Sequence, residues 1–178
     1  YATIFPFRTF ANLFLIEARG VAPDAAGTLK SVLPLVSMFG MPLFGLIADR
    51  YGRRALLMTA GSALLVPPFL MMAYGTLPLW IPMAMLGVAF ALVPAVLWPA
   101  VTYLVPDARL GSAYALMTFC QQVGWAGMSW GIGAVNDAAG ASEANPAGWL
   151  PALWMLAGLA FAGFLFSFLL WREERGPS

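Results

Sequence analysis

Histidine is absent from this chain of 178 residues, and cysteine occurs once, as Cys120. A disulfide bond within the chain is therefore impossible, and zinc sites built from cysteine and histidine are excluded. Cys120 lies in an apolar stretch, so we expect a small buried hydrophobic side chain rather than a reactive thiol. The chain implies no metal and no cofactor.

Charged residues are also scarce. They make up 10% of the chain, whereas 61% is hydrophobic and the mean hydropathy is +0.81; soluble domains carry about 25% charged residues. Such a chain has too few polar groups to cover its surface in water, and at a net charge of +1 it shows no nucleic-acid footprint. We therefore expect an integral membrane protein in contact with the lipid bilayer.

Long uncharged stretches predict where the chain crosses the membrane. Residues 55–106, 110–136 and 144–171 contain no charge, and a spanning helix needs about 20 apolar residues. The first stretch suits two spans, with a turn near Gly75 and Pro78.

Only helices fit, because hydrocarbon leaves no partner for open strand edges and the alternation of a membrane barrel is absent. Prolines inside the spans, such as Pro67 and Pro68, are tolerated as kinks. The sequence predicts an all-α bundle of six transmembrane helices, the first truncated, over residues 1–17, 31–48, 55–74, 78–104, 110–135 and 149–171.

Loop charges predict the orientation. One predicted side carries only Arg19 and Lys30. The opposite side carries Arg50, Arg53, Arg54, Arg109, Arg172 and Arg175. Since cytoplasmic loops are enriched in lysine and arginine, we expect the loop 49–54 and the C-terminus to be cytoplasmic.

The densest charge cluster, residues 45–54, lies between two apolar runs. It resembles the loop motif of the major facilitator superfamily of transporters, with Ile47 where leucine is more usual. The matching residues are Gly45, Asp49, Arg50, Gly52, Arg53 and Arg54. The resemblance implies the C-terminal half, helices 7 to 12, of a twelve-helix transporter whose N-terminal half is absent from this chain.

In that family the motif acts as a gating latch on the cytoplasmic side. By resemblance, Asp49 would pair with Arg53 and lie near the positive N-terminus of a neighbouring helix. The alternative is a basic loop that only sets topology.

A partial copy of the motif ends the fifth predicted helix, as the motif itself ends the second. The copy consists of Gly133, Asp137 and Gly140, which correspond to Gly45, Asp49 and Gly52. This offset predicts two inverted three-helix repeats.

A second resemblance covers residues 95–137. Leu97-Trp98-Pro99, the following Val105-Pro106 and Leu110-Gly111-x-Ala113-Tyr114 resemble the lysosomal dipeptide-transporter branch of the superfamily and its bacterial relatives. Phe5-Pro6-Phe7 and Glu17 add to this resemblance. It implies a dipeptide or similar small zwitterion as substrate, and we expect a bacterial inner membrane as the location.

Arg8 is the charge that lies deepest within a predicted span. Ionisable groups there are costly and usually face a cavity or a partner. Thr9 and Asn12 share its helical face, and Phe5 lies one turn away. Arg8 could bind an anionic group such as a peptide carboxylate; the alternatives are that it reaches the interface or pairs with an acid of the absent half.

A polar and aromatic stripe follows one face of the fifth predicted helix: Tyr114, Thr118, Gln121, Trp125 and Ser129. Such a stripe either joins helices or lines a water-filled path, and its glutamine favours the path. Trp98 lies on the fourth predicted helix as a wall of the same site, although packing is a comparable explanation. The candidate substrate-binding residues are Arg8, Asn12, Trp98, Thr118, Gln121 and Trp125.

These patterns predict transport of a small solute by alternating access. A drug or metabolite exporter of the same superfamily is the alternative, followed by a membrane-embedded enzyme or a structural membrane protein. Gly127-x-Ser129-x-Gly131 fits the nucleophile-elbow pattern. It lies within a predicted helix in a chain without histidine, so we do not expect an enzyme.

Overall fold

The computed structural model describes residues 1–75 and 77–174, and these residues form helices joined by short turns. Within these described residues there are seven α-helices: α1 Ile4–Glu17, α2 Pro23–Tyr51, α3 Arg54–Leu64, α4 Val66–Tyr74, α5 Trp80–Leu104, α6 Leu110–Ala138 and α7 Leu150–Glu174. Short 3-10 turns, Asp107–Arg109 and Pro146–Trp149, precede α6 and α7. Arg175, which was included in the loop charges, lies outside the described residues, as does Thr76 in the turn between α4 and α5.

The second helix is longer than the sequence predicted. It begins at Pro23 rather than residue 31, because a proline at the first helical position needs no hydrogen-bond donor there. It ends at Tyr51, and Gly52 follows with φ +65°, a left-handed conformation that glycine adopts at little cost. Lys30 therefore lies within α2, and the expectation that it belongs to a loop was wrong.

The third predicted span is broken at Leu65. Pro67 and Pro68 lack amide hydrogens, so the helix loses bonds to the preceding turn. The Leu65 amide bonds instead to the Ser62 carbonyl, at 3.3 Å. The two segments α3 and α4 still form one apolar stretch, residues 54–74.

The bundle is built around α5. Helix α2 packs along it, α3 packs against both α5 and α7, and α1 contacts α2 and α6. The α2–α5 contact is close: a Cβ atom added to Gly87 would lie 2.7 Å from the Leu33 carbonyl oxygen and 2.8 Å from Val36 Cβ. The absence of a side chain at Gly87 therefore lets the two backbones approach, as small residues do between membrane helices.

A core of apolar side chains lies between α1, α4, α5 and α7. Phe7 packs edge-on against Phe14 and Phe69, and Phe14 packs against Trp149, with ring centroids 5.6 to 6.4 Å apart. On the rim of this core Arg19 donates a hydrogen bond to the Gly75 carbonyl at 2.8 Å. This bond joins the end of α1 to the end of α4.

Within the described ranges, four helical segments are long and apolar enough to cross a membrane: Pro23–Tyr51, Arg54–Tyr74, Trp80–Leu104 and Pro146–Glu173. Helix α1 has only 14 residues. Helix α6 has 29, but glutamine, serine and glycine residues make it less apolar. Along α6, all of which is described, only Ile132 and Asn136 are buried. The count of six spans and the repeat architecture stay predictions.

Candidate binding site and basic-loop motif

A pocket of about 190 Å³ lies between α1, α5 and α6. Helix α6 contributes three of the five residues of the predicted stripe, Thr118, Gln121 and Trp125, because positions three and four apart share one helical face. Four of the six candidate binding residues line this pocket. Its lining residues are Tyr1, Phe5, Trp98, Thr118, Gln121, Gln122 and Trp125. It combines aromatic faces with amide and hydroxyl groups.

Trp98 is held in this pocket from two sides. Its indole Nε1 donates a hydrogen bond to Tyr1 Oη at 3.0 Å, and its ring stacks on Tyr114 with centroids 5.4 Å apart. Tyr114 Oη also donates to the Trp98 carbonyl oxygen at 3.2 Å. Tyr114 thus serves to position Trp98 rather than to line the pocket.

A second, more open pocket of about 330 Å³ adjoins the first. It is lined by Phe5, Arg8, Thr9, Lys30 and Trp125, so Phe5 and Trp125 belong to both pockets. Their ring centroids are 5.3 Å apart. The Arg8 guanidinium lies 5.7 Å from the Phe5 ring centroid, a distance at which a cation is attracted by the ring face. The Phe5–Trp125 pair thus separates an aromatic and amide pocket from a cationic one.

The structure does not bring Asn12 to either pocket. Its side chain is exposed, one turn beyond Arg8 on α1. Five lining residues were not among the candidates: Tyr1, Gln122, Lys30, and Phe5 and Thr9, which the sequence had marked only as neighbours of Arg8. Gln122 is adjacent to the stripe but off its period, and Lys30 was assigned to a loop. A predicted helix that begins at Pro23 rather than at residue 31 would include Lys30, and the proline is the sequence signal for that start.

The basic-loop motif connects α2 to α3. Asp49 lies in the last turn of α2, and its Oδ1 pairs with Arg54 Nη2 at 3.2 Å. The expected pairing with Arg53 was wrong: Arg53 precedes the first turn of α3 and is exposed, whereas the side chain of Arg54 is only 22% exposed. Arg54 Nη2 also donates to Tyr103 Oη at 3.2 Å. The motif is therefore connected to the end of α5.

The partial copy of the motif shares one backbone feature with the first, a glycine of positive φ just after the helix end. Asp137 lies in the last turn of α6, and Gly140 has φ +62°, close to the +65° of Gly52. Here no arginine follows. Asn145 Nδ2 instead donates to the carbonyl oxygens of Ala139 and Gly140, at 3.0 and 3.2 Å.

The elbow-like pattern Gly127-x-Ser129-x-Gly131 lies inside α6, away from any strand-to-helix turn. Ser129 Oγ is buried, and no hydrogen-bond partner for it is found among the described residues. In the described part of the chain, no three His, Cys, Asp or Glu residues are grouped so that they could hold a metal ion.

The family model of the Major Facilitator Superfamily matches residues 1–178. The chain belongs to this superfamily. Among curated proteins, the "Lysosomal dipeptide transporter MFSD1" of Danio rerio is 34% identical over 140 residues, and that of Homo sapiens is 32% identical. The matched region covers 79% of this chain but only 30% of each relative. The protein of Gallus gallus is 31% identical, with 32% of its length covered. Membership of a superfamily of transporters makes this chain part of an integral membrane protein of the transporter kind.

Proposed function

We propose that this chain is the C-terminal six-helix half of a twelve-helix transporter that moves a small zwitterion, such as a dipeptide, by alternating access. The observation that carries the proposal is the pair of adjoining pockets at Phe5 and Trp125. They bring together two cations, Arg8 of α1 and Lys30 of α2, and two amides of α6, Gln121 and Gln122. The N-terminal half would supply the opposite wall, and two such halves rocking about a central site give alternating access.

In this proposal the substrate carboxylate faces Arg8, because a guanidinium can donate two parallel hydrogen bonds to a carboxylate. The aromatic and amide pocket takes a substrate side chain between Trp98 and Trp125, with Gln121 and Thr118 available to the peptide group. Two features support the assignment of substrate class. The relatives named above are dipeptide transporters by name. In this chain, Arg8 lines the cationic pocket and can pair with the carboxylate of a dipeptide.

The membrane orientation belongs to the same proposal. With Lys30 assigned to a helix, the loops of the outer side retain only Arg19, which strengthens the charge asymmetry. The motif loop 49–54 is then cytoplasmic, and the bond between Asp49 and Arg54 acts on the cytoplasmic gate. The bacterial inner membrane remains the expected location, and neither nucleic acid nor a catalytic role is part of the proposal.

The test is uptake of a labelled dipeptide, Ala-Ala, by the complete transporter in liposomes. Arg8→Gln removes a charge-assisted hydrogen bond worth about 1.5–3 kcal/mol, so we expect KM to rise about tenfold to a hundredfold. Arg109→Gln is the matched control, since Arg109 is exposed in the turn Asp107–Arg109 and should leave KM unchanged. Unaltered KM in Arg8→Gln would contradict the placement of the carboxylate.

An exporter of apolar drugs or metabolites is the second candidate function. The observation in its favour is the aromatic surface of Tyr1, Phe5, Trp98 and Trp125, which suits a flat apolar molecule. An exporter would bind such a molecule without using Arg8. Efflux of an apolar dye that is insensitive to Arg8→Gln, together with no uptake of Ala-Ala, would favour this function instead.

A further inference from the structure

The cationic pocket contains two cations from different helices. Arg8 projects from α1 and Lys30, the chain's only lysine, projects from α2. Both side chains are half-buried. They share the pocket with Phe5, Thr9 and Trp125, so none of its lining residues is acidic.

The two cations lie at similar depth. Arg8 is nine residues before the end of α1 at Glu17, and Lys30 is seven residues after the start of α2 at Pro23. At about 1.5 Å of rise per residue, their Cα atoms are roughly 14 Å and 10 Å along the helices from the α1–α2 connection. A position this far into the helices makes both charges costly unless they meet an anion or water.

No acid of the described residues neutralises either cation. The one ion pair found there joins Arg54 to Asp49, in the motif loop. The acids nearest in sequence are Glu17, at the end of α1, and Asp24, exposed in the first turn of α2; neither lines the pocket. Two like charges in one pocket repel each other, and a bound anion relieves this repulsion.

An ordinary dipeptide does not balance this pocket. It has a single carboxylate, and its ammonium group adds a third positive charge. A dipeptide with an aspartate or glutamate side chain brings two carboxylates, one for each cation. We infer that Arg8 and Lys30 form a subsite for two negative groups, so the transporter prefers small substrates with a second carboxylate. This inference rests on the proposed function for its choice of dipeptides.

The test compares two ligands that differ in one charge and almost nothing in shape, Ala-Glu and Ala-Gln. Their Kd values are measured by ligand-induced thermal stabilisation of the purified complete transporter, and their KM values by uptake into liposomes. We expect Ala-Glu to bind about tenfold more tightly than Ala-Gln. Lys30→Gln should bring the Kd ratio of the two ligands to within about twofold of one, and Lys30→Arg should retain the tenfold ratio. The wild-type comparison stands on its own if a variant fails to fold.

A second pair of ligands separates this inference from the proposed function. Succinate carries two carboxylates and butyrate carries one, and neither is a peptide. Equal binding of Ala-Glu and Ala-Gln, with normal dipeptide uptake, overturns the inference and leaves the proposed function. No binding of either dipeptide, with succinate at least tenfold tighter than butyrate, retains the two-cation subsite and overturns the dipeptide proposal. No binding of any of the four overturns both.

Discussion

The Arg54 guanidinium lies over the ring of Tyr103, 4.3 Å from its centroid, and donates a hydrogen bond to Tyr103 Oη at 3.2 Å. Arg54 begins α3 and Tyr103 lies in the last turn of α5, so the contact ties the motif loop to the end of another helix. Trp98, which lines the aromatic pocket, is five residues earlier on α5, about 7.5 Å along its axis. One helix thus connects the candidate site to the proposed gate.

Loss of the Tyr103 ring should loosen this gate. A cation–π contact at an exposed site is worth about 0.5–1 kcal/mol, so Tyr103→Leu should shift the equilibrium towards the cytoplasmic-open state about two- to fivefold. The measurement is the rate at which a membrane-impermeant maleimide labels the variant Leu104→Cys in inside-out vesicles. The expectation that Cys120 is buried was wrong: it is exposed on α6, so it is first replaced by alanine.

Tyr51→Leu is the control for this experiment, since Tyr51 is an exposed tyrosine at the end of α2 for which no contact with Arg54 is found among the described residues. It should leave the labelling rate unchanged. Equal effects of the two substitutions would show that the ring of Tyr103 has no special role in closure.

The ion pair of the motif predicts which arginine matters most. Asp49→Asn should preserve expression but slow transport several-fold, because the Asp49 side chain is 70% exposed and such a pair is worth at most about 1 kcal/mol. Arg54→Gln should slow transport at least as much, since it also breaks the contact with Tyr103. The initial rate of dipeptide uptake is the measurement.

The structure distinguishes Arg54 from its neighbour. Arg53→Gln should have the smaller effect on the rate, and the double substitution of Asp49 and Arg54 should cost less than the sum of the single ones. A larger effect at Arg53 than at Arg54 would restore the pairing expected from the sequence.

The close contact of α2 with α5 predicts a packing defect. In Gly87→Ala the added methyl group meets the Leu33 carbonyl oxygen and Val36 Cβ at distances shorter than 3 Å, so a backbone must move. Overpacking of this kind costs about 1–3 kcal/mol of the free energy of unfolding, and the Tm of the transporter in detergent should fall.

Gly158→Ala tests the same substitution where there is room. Gly158 lies in the middle of α7 with no atom within 4 Å of the added Cβ, so the better helix propensity of alanine should leave Tm unchanged or raise it slightly. A Tm loss at Gly158 as large as that at Gly87 would argue against steric contact as the cause.

Much of the candidate site could be predicted because it depends on spacing along one helix. Thr118, Gln121 and Trp125 share a face of α6 and line the same pocket. Asn12 shares the face of Arg8 by the same rule, yet it is exposed and lines neither pocket. Periodicity assigns a residue to a face of its own helix, but the packing of neighbouring helices decides how far along that face a pocket extends.

By itself the sequence determined the environment and the helical class, because scarce charge and long apolar runs leave few alternatives in either respect. It also predicted that the motif would join two helices, although the first of them runs on to Tyr51 rather than ending at residue 48. Only the tertiary structure decided that Lys30 joins Arg8 and that Arg54, rather than Arg53, holds Asp49. The first depends on where α2 begins and the second on where α3 begins. Both also depend on which helix packs beside each side chain. A difference of one residue rotates a side chain by about 100° around its helix, and no count of charges along the chain records that rotation.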